Sequence, residues 1–366
     1  MGKIRQIKIG MIITASVVLI AILVGYHGQN TVAKKGTATT QTATKTTKTV
    51  HLSFMGDDTL GTDPQLKAAT NLPTVWAQHG NDPHYFFKNV SRYFKHDDLT
   101  VANLETTFAS DSRQEAAKPG NIVFHFKGNP KLVAALKVGG IDTVTVSNNH
   151  IFDYGKGGFQ DTIEILKKAQ LGYFGEGYRY VKTVKGVKLG FLGYQGWAAT
   201  KADKQKITKD IRSLRKQGCA VVIPYFHWGI ERNAYPNDTQ KTLAHYAINH
   251  GADMVIGSHP HVIESMESYK GKLIAYSMSN FAFGGNPNPA DKRSFILQTN
   301  MMVKGKKMSA MKFRVIPTRI STTDSHNDYV PTPYTGSQKV AVLQYMNQLS
   351  PTLDNRISAH FTTLPK

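Results

Sequence analysis

The chain has 366 residues, 40% of them apolar, and a formal net charge of +20 at pH 7. That apolar share excludes a disordered protein, and the length allows one large domain with appendages or two modest ones. The lone cysteine, Cys219, excludes an intramolecular disulfide and any thiolate-rich zinc site, so a metal here has to be held by His, Asp, Glu or Asn. The positive surplus favours anionic partners without saying which.

In chain order, Lys3, Arg5 and Lys8 precede a stretch from Ile9 to Tyr26 that carries no charge. A basic flank before an apolar run of 18 residues predicts one N-terminal transmembrane helix, with residues 1–8 cytoplasmic and everything after residue 26 outside. A cleaved signal peptide is the competing reading, but "VGYHGQN" is a poor cleavage site. Residues 27–50 are rich in Thr and Lys and have no periodicity that could bury a face, so they read as a flexible tether. An exported chain with one cysteine suits a Gram-positive cell envelope.

The body begins at "VHLSFMGDD", where Val50, Leu52 and Phe54 alternate into a Gly-Asp turn, the pattern of a strand entering a loop. "LTVANLETTF" predicts another strand and loop, "LVAALKVGG" a helix stopped by glycine, "IDTVTVSNNH" a strand, and "FQDTIEILKKAQ" a helix. "VKLGFLGYQG" and "CAVVIPYFHWG" read as strands, the second burying Cys219. "NDTQKTLAHYAINHG" predicts a helix capped by Asn237 or Asp238 and ended at Gly251. "ADMVIGSHPH" and "KLIAYSMSNFAFGG" each predict one strand, and "SFILQTNMMV" with "MKFRVIPTRI" an antiparallel pair. After Ile320 the chain turns polar, and "QKVAVLQYMNQLS" predicts a last amphipathic helix. Strands alternating with helices and then pairing directly point to an α/β fold with mixed sheets, over residues 51–320, followed by an extension at 321–366.

Ionisable groups collect where the strands end. "SFMGD" ends at Asp57, "VANLE" at Glu105, "VTVSNNH" at Asn149 and His150, "IPYFH" at His227, and "VIGSHPH" at His259 and His261. The carboxyl ends of strands are where loops converge on a fixed frame, so such residues can build one site. Carboxylates, an amide and imidazoles make a donor set for Mn, Fe or Zn, as one or two divalent ions.

With these blocks in place the chain resembles the CapA family of capsule-synthesis proteins, also called PgsA in poly-γ-glutamate systems. Through it the chain resembles the calcineurin-like metallophosphoesterase superfold. The blocks are "FMGDDTLG", "ANLETTF", "VSNNHIFDYG", "FHWGIERNAYPNDTQ", "GADMVIGSHPHV" and "LIAYSMSNFAFG". The resemblance implies a metallophosphoesterase-like sandwich of mixed β-sheets flanked by helices. It implies that Asp57 and His261 bind a first ion, that Asn149, His227 and His259 bind a second, and that Glu105 stands where a bridging Asp is common. It makes His150 the general acid and Asp153 the residue that orients it, with Glu231 in a supporting place. Three positions depart from the pattern. Asp57-Asp58-Thr59 replaces Asp-x-His, Gly61 stands where an arginine is usual, and Ser279 where a glycine is usual.

Two functions follow as expectations. One is a metal-dependent hydrolase or transferase on the outer face of the cell membrane, acting on a phosphoester or an anionic polymer. The other is a non-catalytic accessory subunit that guides such a polymer for capsule synthase and export subunits. Nucleic acid is not an expected partner. Outside the blocks, His125, Lys127, Arg232 and Lys292 are candidates to reach a substrate anion, while His79, His84, His96, His245 and His250 read as solvated.

Overall fold

The Thr47–Thr59 strand is buried on both faces from Leu52 onward, because its alternate side chains enter two different cores. Val50, Leu52 and Phe54 face one apolar cluster, while Met55 and Leu60 belong to another. Such two-sided burial marks a central strand covered on both faces. The computed structural model describes residues 46–120 and 123–365. The expected cytoplasmic tail, membrane anchor and nearly all of the tether lie outside the described residues. Among the described residues no helix is long and apolar enough to cross a membrane.

Two mixed sheets make up the frame. In the first, the order is Thr332–Pro333, Lys307–Arg319, Arg293–Lys304, Thr47–Thr59, Leu99–Leu104, Thr143–Thr145, Gly172–Phe174, with Asn280–Phe283 also pairing on Thr47–Thr59 and Thr362–Thr363 on Lys307–Arg319. The second runs Met266–Tyr269, Lys272–Ala275, Met254–Ser258, Val221–Trp228, Val187–Gly196, Arg179–Val184. Leu52, Phe54, Val101, Leu297 and Val315 of the first sheet meet Phe191, Ile223, Tyr225 and Ile256 of the second in a central core. The outer face of the first sheet packs Ala102, Val144 and Val146 on Leu136, Ile163 and Leu166 of the helices Val133–Gly139 and Gly155–Lys168. The outer face of the second packs Val222, Phe226 and Val255 on Ile211, Leu214 and Leu243 of the helices Lys201–Lys216 and Asp238–Asn249. The layers are therefore helices, sheet, sheet, helices. The C-terminal helix Gly336–Leu349 adds Val342, Met346 and Leu349 to the central core.

The predicted elements recur with local changes. Val187–Gly196 is a strand over the whole predicted span. The Asp238–Asn249 helix is capped by Asn237, whose side chain accepts from Gln240 N–H while the Gln240 side chain accepts from Asn237 N–H. Gly140 takes the left-handed conformation, φ 89°, that ends the helix before it. The single strand expected at "KLIAYSMSNFAFGG" is instead two. Lys272–Ala275 belongs to the second sheet and Asn280–Phe283 to the first. The chain crosses between sheets at Ser277–Ser279, where Ser279 has φ 63°.

Candidate metal centre

The strands deliver their polar ends to one rim of the sandwich. Asp57, Glu105 and Asn149 come from the first sheet and its loops; His227, His259 and His261 come from the second. Asp57, Glu105 and His227 are fully buried and His259 is 8% exposed. Their donor atoms gather into groups in which all lie within 4.8 Å of one another: Asp57 with Glu105 and His261, Glu105 with His227 and His259, and Glu231 with His259 and His261. Glu105 is shared by the first two. Asn149 reaches the second group, with its Oδ1 2.7 Å from His227 Nε2. All six residues expected as ligands thus stand together.

Neighbouring polar groups aim the donors. Asn103 Nδ2 donates to Asp57 Oδ1 at 2.8 Å, and Asn148 Nδ2 donates to Asn103 Oδ1 at 3.1 Å. Ser258 Oγ lies 3.0 Å from His227 Nδ1, which leaves Nε2 facing Glu105 Oε1 at 3.4 Å. Asn280 Oδ1 lies 2.8 Å from His261 Nδ1. Hydrogen bonds of this kind fix an imidazole's tautomer and ring plane before any ion arrives. His259 and His261 both sit at positive φ, 99° and 58°, on either side of Pro260, and their rings are 5.8 Å apart. Left-handed backbone at a non-glycine residue costs about 1 kcal/mol or more and concentrates at functional sites. Trp197, half exposed, stands edge-on to His259 at 4.8 Å.

Electrostatics make the cluster unfavourable without a cation. Neither carboxylate oxygen of Glu105 has a hydrogen-bond partner, although both are buried. A buried carboxylate without donors is costly unless it is neutralised or paired. Burial, reinforced by Asp57, pushes Glu105 well above the usual carboxylate range. Burial and the neighbouring His261 hold His259 down at about 3, and burial with His259 and His261 keeps His227 neutral as well. Burial also disfavours charge on His261, but Glu105 and Asp57 outweigh it and raise His261 to about 9. His227 and His259 are thus neutral, the state in which an imidazole ligates a divalent ion, while Glu105 and His261 would give up protons as one binds. The residues present fit such an ion.

His150 stands at the edge of the cluster. Its Nδ1 is 2.7 Å from Asp153 Oδ2, and Asp153 is ion-paired with Lys118. Phe126 N–H donates to the same carboxylate at 2.6 Å, and the Phe126 ring stacks on His150 at 4.1 Å. Burial lowers His150, and Asp153 pulls it back up.

The departures have structural counterparts. Asp58 accepts from Ala282 N–H at 2.9 Å and belongs to none of the ligand groups, so it does not replace the missing histidine. Burial raises Asp58 far above the usual carboxylate range. A Cβ on Gly61 would lie 2.4 Å from Lys127 O, which leaves no room for an arginine there without moving that backbone. Ser279 keeps the left-handed backbone that glycine adopts freely, and its Oγ donates to Arg293 O at 2.9 Å.

Other candidates fall elsewhere. His125 is buried with Nε2 2.8 Å from Ala116 O, so it pins a loop and does not reach the cleft. Lys127 lies over the Tyr154 ring, and Lys292 is held by Asn288 Oδ1 and Asp324 O. His245 is not simply solvated, since its Nε2 is 2.9 Å from Glu267 Oε1 and its ring stacks on Tyr269. Sequence reasoning missed Asn103, Asn148, Ser258 and Lys118. The first three lie inside quoted blocks, whereas Lys118 sits in a loop with no pattern.

Residues 51–285 match the family described as bacterial capsule synthesis protein PGA_cap. The capsule biosynthesis protein CapA of Bacillus anthracis is 31% identical over 228 residues, 56% of this chain and 55% of that protein. The PGA biosynthesis protein CapA of Bacillus subtilis is 32% identical over 251 residues, 63% of this chain and 62% of its own length. A Mycobacterium tuberculosis protein described as a "probable polyglutamine synthesis accessory protein" is 25% identical over 209 residues, 49% of this chain and 54% of that protein. The chain thus spans between about half and three-fifths of these relatives. The matched span contains Asp57, Glu105, Asn149, His150, His227, His259 and His261, and the chain belongs to the CapA/PgsA capsule-synthesis family.

Proposed function

We propose that the protein is a membrane-anchored, extracellular enzyme of capsule, poly-γ-glutamate or related cell-envelope polymer synthesis. In this reading residues 9–26 anchor it, the residues from 27 up to the Thr47–Thr59 strand tether it, and a metallophosphoesterase-like body acts as a metal-dependent hydrolase or transferase. The carrying observation is Glu105: a buried carboxylate with both oxygens unpartnered, shared by two groups of donors. Asp57, Glu105 and His261 would hold one divalent ion of the Mn, Fe or Zn kind, and Glu105, Asn149, His227 and His259 the other. Ions bound there supply Lewis acidity toward a phosphoryl or carbonyl oxygen.

The chain's own groups do the rest. His150 Nδ1–H donates to Asp153, so Nε2 is the atom that exchanges a proton with the leaving oxygen. Lys118 neutralises the far oxygen of Asp153 and keeps that carboxylate in place. Phe126, stacked on His150, keeps water off one face of the ring.

A second reading has its own support. The missing Asp-x-His histidine, and the word "accessory" in the mycobacterial relative's description, favour a subunit that guides an anionic polymer without catalysis. Complementation separates the two. A strain lacking the protein is supplied with wild type, His150→Ala or a His259→Ala/His261→Ala double variant, and polymer is measured beside membrane levels of each variant. The enzyme reading expects both variants to accumulate normally and to lose polymer production. Full production with His150→Ala would establish the accessory reading instead.

A further inference from the structure

Beside the ligand cluster lies an open cavity of about 520 Å³, lined on the cluster's side by His150 and His261. The composition of its walls does not match the charge of the whole chain. Three of the lining residues are phenylalanines: Phe124 stacks on Phe126 at 6.2 Å, and Phe126 meets Phe283 edge-on at 6.3 Å. Phe124 stays 39% exposed at this cavity. Arg232 is the lone Lys or Arg among the described lining residues, against two carboxylates, Glu231 and Asp291. Asp291 is already paired with Arg293 at 2.7 Å. Asn286 and Asn288 add amides that can bond to hydroxyls or carbonyls.

A polymer with a carboxylate on every repeat would place charge against phenylalanine and glutamate here. Away from the ligand cluster, that is a desolvation cost with Arg232 as the one Lys or Arg of the described wall to offset it. A neutral ring gains instead, because an aromatic ring stacks face to face, or a sugar packs its C–H face, on an aromatic side chain. His150, assigned above to the leaving oxygen, opens onto this cavity and stacks on its Phe126 wall. The group that enters is therefore attached to the leaving oxygen. The backbone of Arg232 is tied to the histidine turn, its main-chain N–H donating to Pro260 O at 2.8 Å.

We propose that this cavity binds the leaving group of a phosphoester, and that this group carries an uncharged ring rather than a run of carboxylates. The proposal rests on the metal-centre reading above. The test titrates the full-length protein in detergent, with Mn²⁺ present, against three phosphonates, whose C–P bond it cannot hydrolyse, and one oligomer of carboxylates. These are methylphosphonate, phenylphosphonate, the phosphonate analogue of glucose 1-phosphate, and tetra-γ-glutamate, each followed by calorimetry. The expected result is that one or both ring phosphonates bind at least ~10-fold tighter than methylphosphonate, as an added stacking contact implies. Phe124→Ala should bring them back to within ~3-fold of methylphosphonate while leaving methylphosphonate itself unchanged. A gain confined to the phenyl probe points to a planar aromatic group, and a gain with the glucosyl probe to a sugar. Methylphosphonate binding with no gain from either ring, or tetra-γ-glutamate binding more tightly than both, overturns this inference and leaves the metal centre standing. Failure of every phosphonate to bind overturns both.

Discussion

Glu105 concentrates the chemistry of the site in one side chain. Its burial is unfavourable in the ion-free protein, with both oxygens unpartnered, and would be offset by a cation held beside it. Glu264 shows a similar unease without a metal role. Its Oε2 accepts from Gln240 at 2.7 Å and its Oε1 has no partner, and burial raises it to about 8 against the opposing Gln240 bond. Below the ordinary value of 4.5 both folded and unfolded chains hold this proton. Between 4.5 and about 8 the unfolded chain releases it and the folded chain does not, so stability falls as pH rises through that window. Glu264→Gln should flatten the fall and raise stability at pH 8 by roughly 1–3 kcal/mol, read by urea unfolding across pH. Parallel curves for the two proteins would contradict it. At this scale the candidate ligands were legible because each ends an apolar run and carries a metal-competent group. Asn103 and Asn148 were not, because an amide that only orients a neighbour has no spacing of its own. Lys118 reaches Asp153 from a loop 35 positions earlier, a juxtaposition only the fold creates.

At the level of elements, the crossing at Ser277–Ser279 decides the shape of the site. There the chain leaves the second sheet and pairs with the Thr47–Thr59 strand, placing Asn280 opposite Asp57 and within reach of His261. The apolar run "KLIAYSMSNFAFGG" concealed this break, since a buried strand and a buried crossing share the same composition. The left-handed backbone at Ser279 breaks the run, and a serine there gives no signal. Gly56 is the partner of this crossing: a Cβ on it would stand 1.8 Å from Ser279 O, and Asp57 N–H donates to that same oxygen at 3.0 Å. Gly56→Ala should therefore cost ~3 kcal/mol or more, because backbone on both sides has to move. Thermal unfolding measures it, and a loss below ~1 kcal/mol would show that the crossing yields easily. Capping was read correctly for the Asp238–Asn249 helix, where Asn237 and Gln240 stand at the spacing the chemistry requires.

On the scale of the molecule, the mixed α/β class was legible from alternating strands and helices. The assignment of strands to two sheets was not, because both sheets use the same apolar alternation. The four layers explain why six candidate ligands from distant parts of the chain meet: two mixed sheets end at one rim, and each contributes three. The whole frame then serves to hold negative and neutral donors closer together than they would stand alone. That claim is tested most directly by the metal-to-chain ratio of wild type and Glu105→Gln, purified side by side with Mn²⁺ and analysed for bound elements. Wild type should carry one or two ions per chain, and Glu105→Gln less than one, since both donor groups lose the ligand they share. Equal metal content in the two proteins, or less than one ion per chain in wild type, would contradict it.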